Sequence, residues 1–181
     1  KYLKFEKPFK FTEYRKGIVI PNGDKSRPLV DYDVFSNFRS FPMYYGWQST
    51  YTHIKQSGIK YDYIIRSRYD ISGLPLYLEY IDNSLINTSA MHWPGDKIHD
   101  DNLCILNQQN ADIIFSDVFD RIVETSKKLG YLDFAEKTFT EHVYRCGLES
   151  KLYKNENIRF NLLRDGKNWG FDDINIALRK Y

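Results

Sequence analysis

Two short stretches carry side chains that could do chemistry. The first is "KYDYIIRSRYDISGLP", Lys60 to Pro75, where Arg66, Arg68 and Asp70 stand at every second position. On a strand, whose side chains alternate between faces, that spacing puts all three on one face. Burying charges without a partner or a ligand is costly. Arginine forks suit phosphate oxygens, which they grip in bidentate fashion. A carboxylate beside them suits Mg²⁺ or Mn²⁺, hard cations that take one or two carboxylates plus substrate phosphates. The same spacing also fits an Arg68–Asp70 ion pair that only closes a strand end.

The second stretch is "GDKIHDDN", Gly95 to Asn102, with Asp96, His99, Asp100 and Asp101. A polar loop that delivers carboxylates just before an apolar run suits a general base or a second metal ligand. A solvated acidic turn fits equally well. Just upstream, "MHWPG" holds His92 and Trp93, whose indole face could meet the C–H face of a sugar or simply anchor the loop. Glu141 and His142 form a further acid–base candidate, although a capped helix start accounts for Glu141. No P-loop, dinucleotide glycine fingerprint, HExxH or nucleophile elbow is present.

These side chains need elements to position them. "SFPMYYGWQSTYTHIKQSG" predicts a helix from an N-cap at Ser40 to a C′ residue at Gly58. Its stripe of Phe41, Tyr44, Trp47, Tyr51 and Ile54 reads as core, and His53 as helix surface. The arginine row predicts a buried strand over about Tyr61–Ile71, ended by "SGLP". "LYLEYI", "SLINTSA", "LCIL" and "IRFNLL" are further strand candidates, as is "GIVI" at Gly17–Ile20 before the exposed turn "PNGDKSRP". Asn107 predicts the cap of a helix over about Gln108–Leu129, ended by Gly130. Its buried face would be Ala111, Ile114, Phe115, Val118, Ile122 and Leu129. Thr138 and Glu141 predict a capping box for another helix. Helices alternating with strands give an α/β class. Ligands in such folds bind at the carboxyl ends of the strands, where Asp70 would lie.

Composition bounds the function. With 181 residues, 42% of them hydrophobic, there is enough apolar material for one domain with its own core. A net charge of +2 exerts no strong pull on nucleic acid or membranes. Cys104 and Cys146 match no metal spacing and read as small buried residues in a reducing compartment, so the expected location is cytoplasmic, in a host or bacterial cell. No apolar run reaches the roughly 20 residues that span a bilayer. The chain begins at Lys1 rather than Met, and an upstream amino-terminal element is expected to precede it.

"YDYIIRSRYDI" resembles the "YD-x-(V/I)-I-R-x-R-x-D" segment of certain viral and bacterial glycosyltransferases of the GT-A type. In these a helix precedes the strand, as "YYGWQSTYTHIKQSG" does here. A loop ending in an acidic pair follows, then an apolar run and a helix, to which "HDDNLCILNQQNADIIF" is similar. The resemblance covers roughly Phe35 to Glu149. It implies a single GT-A-like, Rossmann-like domain over residues 1–181, with a mixed central sheet flanked by helices. It also implies transfer of a sugar from a nucleotide-diphosphate donor to an acceptor hydroxyl of a glycan. Asp70 would match the last carboxylate of the Asp-x-Asp signature and hold Mn²⁺ or Mg²⁺. Arg68 stands where that signature has its first Asp, so it could neutralise the diphosphate itself. Arg66, Arg68, Asp70, Trp93 and His99 would bind the donor. Asp101, with Asp100 as second choice, would be the base if the enzyme inverts, whereas a retaining enzyme would need none. The family's nucleotide-gripping first strand is not recognisable here, unless "KGIVIPNG" is its divergent form. The rival expectation is a non-catalytic module that binds a glycan or single-stranded nucleic acid, and the near-neutral charge argues against nucleic acid.

Overall fold

The computed structural model describes residues 40–68, 71–73, 77–89, 98–130, 132–133, 135–158, 160–164 and 167–169. The expected strand at Gly17–Ile20 and the turn after it lie outside the described residues, as do His92, Trp93 and Asp96.

The aromatic stripe of the first helix does what its spacing requires. Helix α1 spans Ser40–Gln56 and buries Phe41, Tyr44 and Tyr51. Trp47 and Ile54 pack against the core from its margin. Gly58 follows with a φ of 68°, the left-handed turn that glycine adopts at low cost. Ser40 is itself helical rather than the residue before the helix.

Four strands form the main sheet: β1 (Ile64–Ser67), β3 (Ile86–Ser89), β4 (Leu103–Leu106) and β5 (Leu152–Asn155), in the order β1-β4-β3-β5. β4 is antiparallel to both β1 and β3, and β5 is parallel to β3. Strands β1, β3 and β5 therefore run in one direction, and their carboxyl ends gather at one end of the sheet beside the amino end of β4. The two central strands are buried along their whole length. That follows from cover on both faces. On one face, Ile64, Ile86, Cys104 and Leu106 pack with helices α1, α2 (Gln108–Phe115) and α4 (Ala135–Arg145). On the other, Leu103 and Ile105 pack with Ile81 and Ile158. Helix α3 (Val118–Leu129) joins α1 through Phe41, Tyr44, Phe119 and Ile122. A second, antiparallel sheet has the order β2-β6-β7, from Ile71–Gly73, Phe160–Arg164 and Lys167–Trp169. The molecule is thus α/β with a four-stranded mixed open sheet and helices, compatible with a Rossmann-like fold.

Several boundaries differ from expectation, each for a physical reason. The arginine-bearing strand is shorter than Tyr61–Ile71; among the described strands it pairs with β4 alone and stands at the edge, with Ile65 and Ser67 exposed. "LYLEYI" forms a 3₁₀ turn at Leu78–Tyr80. Its amides bond locally, Tyr80 to Tyr77 and Ile81 to Leu78, and of its apolar side chains Ile81 is buried while Tyr77, Leu78 and Tyr80 are exposed. The helix after Asn107 breaks in two at Ser116 and Asp117, and Leu129 is exposed. Gly130 ends α3 with a φ of 76°, as its position predicts. The Thr138–Glu141 box is not a helix start: α4 begins at Ala135, and the Thr138 hydroxyl donates inside that first turn to the Asp133 carbonyl. Cys104 is buried as expected, whereas Cys146 is half-buried.

Candidate functional site

The described ends of β1, β3 and β4 hold one cluster of charged side chains. β1 runs into Arg68, whose amide donates to the Asn102 carbonyl across the ladder at 3.1 Å. That bond sets the loop 98–102 beside the end of β1. Two anchors fix the loop, and a bond within α4 orients one of them. The His99 amide donates to the Thr140 hydroxyl of α4 at 2.9 Å. That hydroxyl in turn donates to the Glu136 carbonyl at 2.8 Å. The His99 ring bonds through Nδ1 to the Thr88 hydroxyl of β3 at 3.1 Å.

Asp100 and Asp101 are adjacent but differ in surroundings. Asp100 is fully buried. Its Oδ2 accepts from the Ser89 hydroxyl, and its Oδ1 accepts from the amide and side-chain nitrogens of Asn102. Burial pushes its carboxyl up to about 6, and these hydrogen bonds oppose the shift. Asp101 is also buried, and burial raises its carboxyl; Arg66 and then Arg68 act against that rise. Glu136, half-buried in the first turn of α4, is pushed up to about 8 by desolvation first and by Asp101 second. Tyr44 closes the group from α1, its hydroxyl donating to the Ala135 carbonyl at 2.7 Å. Its phenol is raised well above the usual value by burial, with Asp101 and Glu136 adding to the effect.

The two arginines serve different places. Arg66 packs its guanidinium on Trp47, with the central carbon 3.9 Å from the ring centroid. Burial lowers its pKa, and Asp101 is the largest influence in the other direction. Its Nε and Nη1 have no hydrogen-bond partner among the described residues. Arg68 donates from Nη1 to the Asn102 side-chain carbonyl at 3.2 Å. Both carbonyl and carboxylate neighbours of the pair thus come from one loop, residues 100–102.

Of the expected site residues, the fold brings Arg66, Arg68, Asp100 and Asp101 together. His99 lies beside them but is buried against β3, and burial pushes its imidazole down to about 4, with Lys154 adding to the effect. Asp70 and Trp93 lie outside the described residues. His142 is a structural residue, buried with Nε2 bonded to the Ile114 carbonyl at 2.9 Å. Glu136 was not foreseen, because nothing in its spacing links it to Asp101. Ser89, Asn102 and Tyr44 were likewise read only as parts of elements.

The cluster's carboxyls hold or release protons near neutral pH, which is where proton transfer to or from a bound group is useful. Among the described residues no group of three or more His, Cys, Asp or Glu is placed to share a metal ion. Asp70, the carboxylate that the resemblance assigns to a metal, is not among them. No helix of the described residues is long and apolar enough to cross a membrane. No protein-family model, curated protein or solved structure matches this chain.

Proposed function

We propose that this chain is a glycosyltransferase domain of the GT-A type, moving a sugar from a nucleotide-diphosphate donor to an acceptor hydroxyl of a glycan. The observation that supports this reading most is the setting of Asp101 against Arg66 and Arg68, where the carboxyl ends of β1 and β3 meet the amino end of β4. A cleft at that end of an α/β sheet is the usual ligand site. Arg68 would face the diphosphate and stabilise the charge that grows on it as the sugar departs. Arg66, behind it on Trp47, would add positive potential and keep Asp101 ionised. Asp101 would take the acceptor hydroxyl's proton as the sugar carbon is attacked. Asp100 is the poorer base, because both of its oxygens already accept hydrogen bonds. His99 and Trp93 would border the donor. A divalent cation, Mn²⁺ or Mg²⁺, would sit on Asp70 and share the diphosphate charge.

A non-catalytic glycan-binding module is the second reading. The exposed Tyr77–Tyr80 pair, rings 6.1 Å apart, favours it as a platform for sugar rings. Turnover separates the two. Release of nucleoside diphosphate is measured over a panel of nucleotide sugars and glycan acceptors. Under the first reading Asp101→Asn binds the donor as before and loses roughly 10²–10⁴-fold in transfer, the usual share of general acid–base catalysis. Asp100→Asn loses less. Full turnover in a folded Asp101→Asn protein rejects the base, and donor-independent glycan binding without turnover favours the module.

A further inference from the structure

A buried base must pass its proton on, or it works only once. Asp101 is 3% exposed, so its proton has to leave through a neighbour. The guanidiniums of Arg66 and Arg68, from β1, face it but accept no proton. Asp100, one residue earlier in the loop, is fully buried, and Ser89 and Asn102 occupy both of its oxygens. The Tyr44 phenol, from α1, already carries its proton and donates it to the Ala135 carbonyl. The Cys104 thiol in β4 is buried and pushed up to about 12, so it too is occupied at neutral pH. His99 is buried and spends Nδ1 on Thr88. Among the described residues that leaves Glu136, on α4.

The fold holds Glu136 there by bonds from two other elements. Tyr44 of α1 donates to the carbonyl of Ala135, the residue before it, at 2.7 Å. The Thr140 hydroxyl, one turn further along α4, donates to the Glu136 carbonyl at 2.8 Å and accepts from the His99 amide at 2.9 Å. One hydroxyl thus ties the loop that carries Asp101 to the helical turn that carries Glu136. Of the three acidic residues in the cluster, Asp100 and Asp101 are buried and Glu136 is not fully so. Desolvation first and Asp101 second raise its carboxyl to about 8, with Asp100 adding to the rise and Arg68 opposing it. A group that can lose its proton close to neutral pH is suited to passing one on.

We propose that Glu136 is the proton exit of the site: it takes from Asp101 the proton that Asp101 removes from the acceptor hydroxyl, and it passes a proton to water. The inference rests on the reading of Asp101 as the base of an inverting sugar transfer. In that step the acceptor oxygen forms its bond to the sugar carbon. The bond from that carbon to the diphosphate breaks, and its electron pair leaves with the nucleoside diphosphate. The acceptor's proton ends on Asp101. Glu136 then gives its own proton to water and takes the one on Asp101, which returns both carboxyls to their starting state. Glu136 touches neither donor nor acceptor and acts through Asp101.

The test uses the full chain with a nucleotide sugar and acceptor that turn over in the panel above, and rapid mixing separates the first turnover from later ones. Glu136→Gln keeps the shape of the side chain but cannot relay a proton. Its first equivalent of nucleoside diphosphate should form at the wild-type rate, because Asp101 starts ionised. Later turnovers should slow by about ten-fold or more, whereas Asp101→Asn should slow the first turnover itself by roughly 10²–10⁴-fold. Glu136→Asp should keep more of the steady rate than Glu136→Gln. Formate, a small carboxylate that fits the space left by Glu136→Ala, should restore the steady rate of that variant. An unslowed steady rate in folded Glu136→Gln overturns the relay. So does equal slowing of first and later turnovers without rescue by formate, which would give Glu136 a structural role. Absence of turnover in the wild type, or full turnover in Asp101→Asn, rejects the sugar-transfer reading and the relay with it.

Discussion

Asp100 and Asp101 are the same residue type one position apart, yet the fold gives them different chemistry. Asp100 has its acceptor capacity spent on Ser89 and Asn102, while Asp101 is set against two guanidiniums and the Glu136 carboxyl. Residue types alone pointed to the pair but could not rank it on geometry, since the ranking depends on Ser89 and Glu136, which come from other elements. Glu136 also makes a pH signature. Its carboxyl sits near 8 in the fold against an ordinary 4.5, so the folded chain binds the extra proton between those values. Stability from this group is full at acid pH and declines as pH rises toward 8. Asp100, raised to about 6, acts in the same sense but is finished by about that pH. His99, lowered to about 4 from 6.5, has the opposite sign and adds stability as pH rises through that window. The two offset each other in the acid range, and above it the Glu136–Asp101 pair, with Asp100 and Arg68 as neighbours, remains. The melting temperature should therefore fall from about pH 6.5 to about 8, and Glu136→Gln should flatten that fall. Thermal melts across the range check it, and an undiminished slope in the variant would assign the effect elsewhere.

At the scale of elements, local signals were legible where the partner is near in sequence. Asn107 caps α2, accepting from the Asn110 amide at 2.8 Å, and Gly58 and Gly130 take left-handed turns after their helices. The apolar run "LCIL" is a strand, and so is "INTS" within "SLINTSA". The break between α2 and α3 was not legible, because the residue that stabilises it is far away. Asp117 stands at the cap position of α3 but makes no capping bond with its side chain. Gln48, on α1, does that work from 71 residues upstream: its Oε1 accepts from the Phe119 amide at 2.8 Å. Its Nε2 donates to the Asp120 carboxylate at 2.6 Å. Apolar periodicity runs through Ser116 and Asp117 without interruption, so it predicts one long helix. Gln48→Ala should leave the α3 amino end uncapped and destabilise the chain by about 0.5–2 kcal/mol, the range of a lost N-cap. Chemical denaturation measures this, and the slope against denaturant should stay unchanged. A neutral result would mean that water replaces Gln48 at little cost.

The whole molecule explains why the arginine row reads as the middle of a sheet yet stands at the edge of the described strands. Alternating charge on an apolar strand reads the same at an edge or a centre, since strand order is set by pairings between distant segments. Here β4 runs against its neighbours and separates β1 from β3, which leaves β1 at the margin of the described strands with Arg66 under α1. The central position falls to β4, and Cys104 lies in it, paired across the ladder with Arg66. That thiol is buried and pushed up to about 12 by desolvation, so it is a poor nucleophile and out of reach of reagents. Both thiols are free, and Cys146, half-buried after α4, borders the surface. The pair gives two readouts of one structure. Cys146 should react with a soluble disulfide reagent in the native state, slowed because burial also raises its thiol. Cys104 should react only when the sheet opens, at a rate that follows global unfolding and rises with denaturant in step with it. If Cys104 reacts in native buffer as fast as Cys146, β4 opens by a local route. The β1–β4 pairing that sets Arg66, Arg68 and the loop 98–102 side by side would then be the weak part of the molecule rather than its centre.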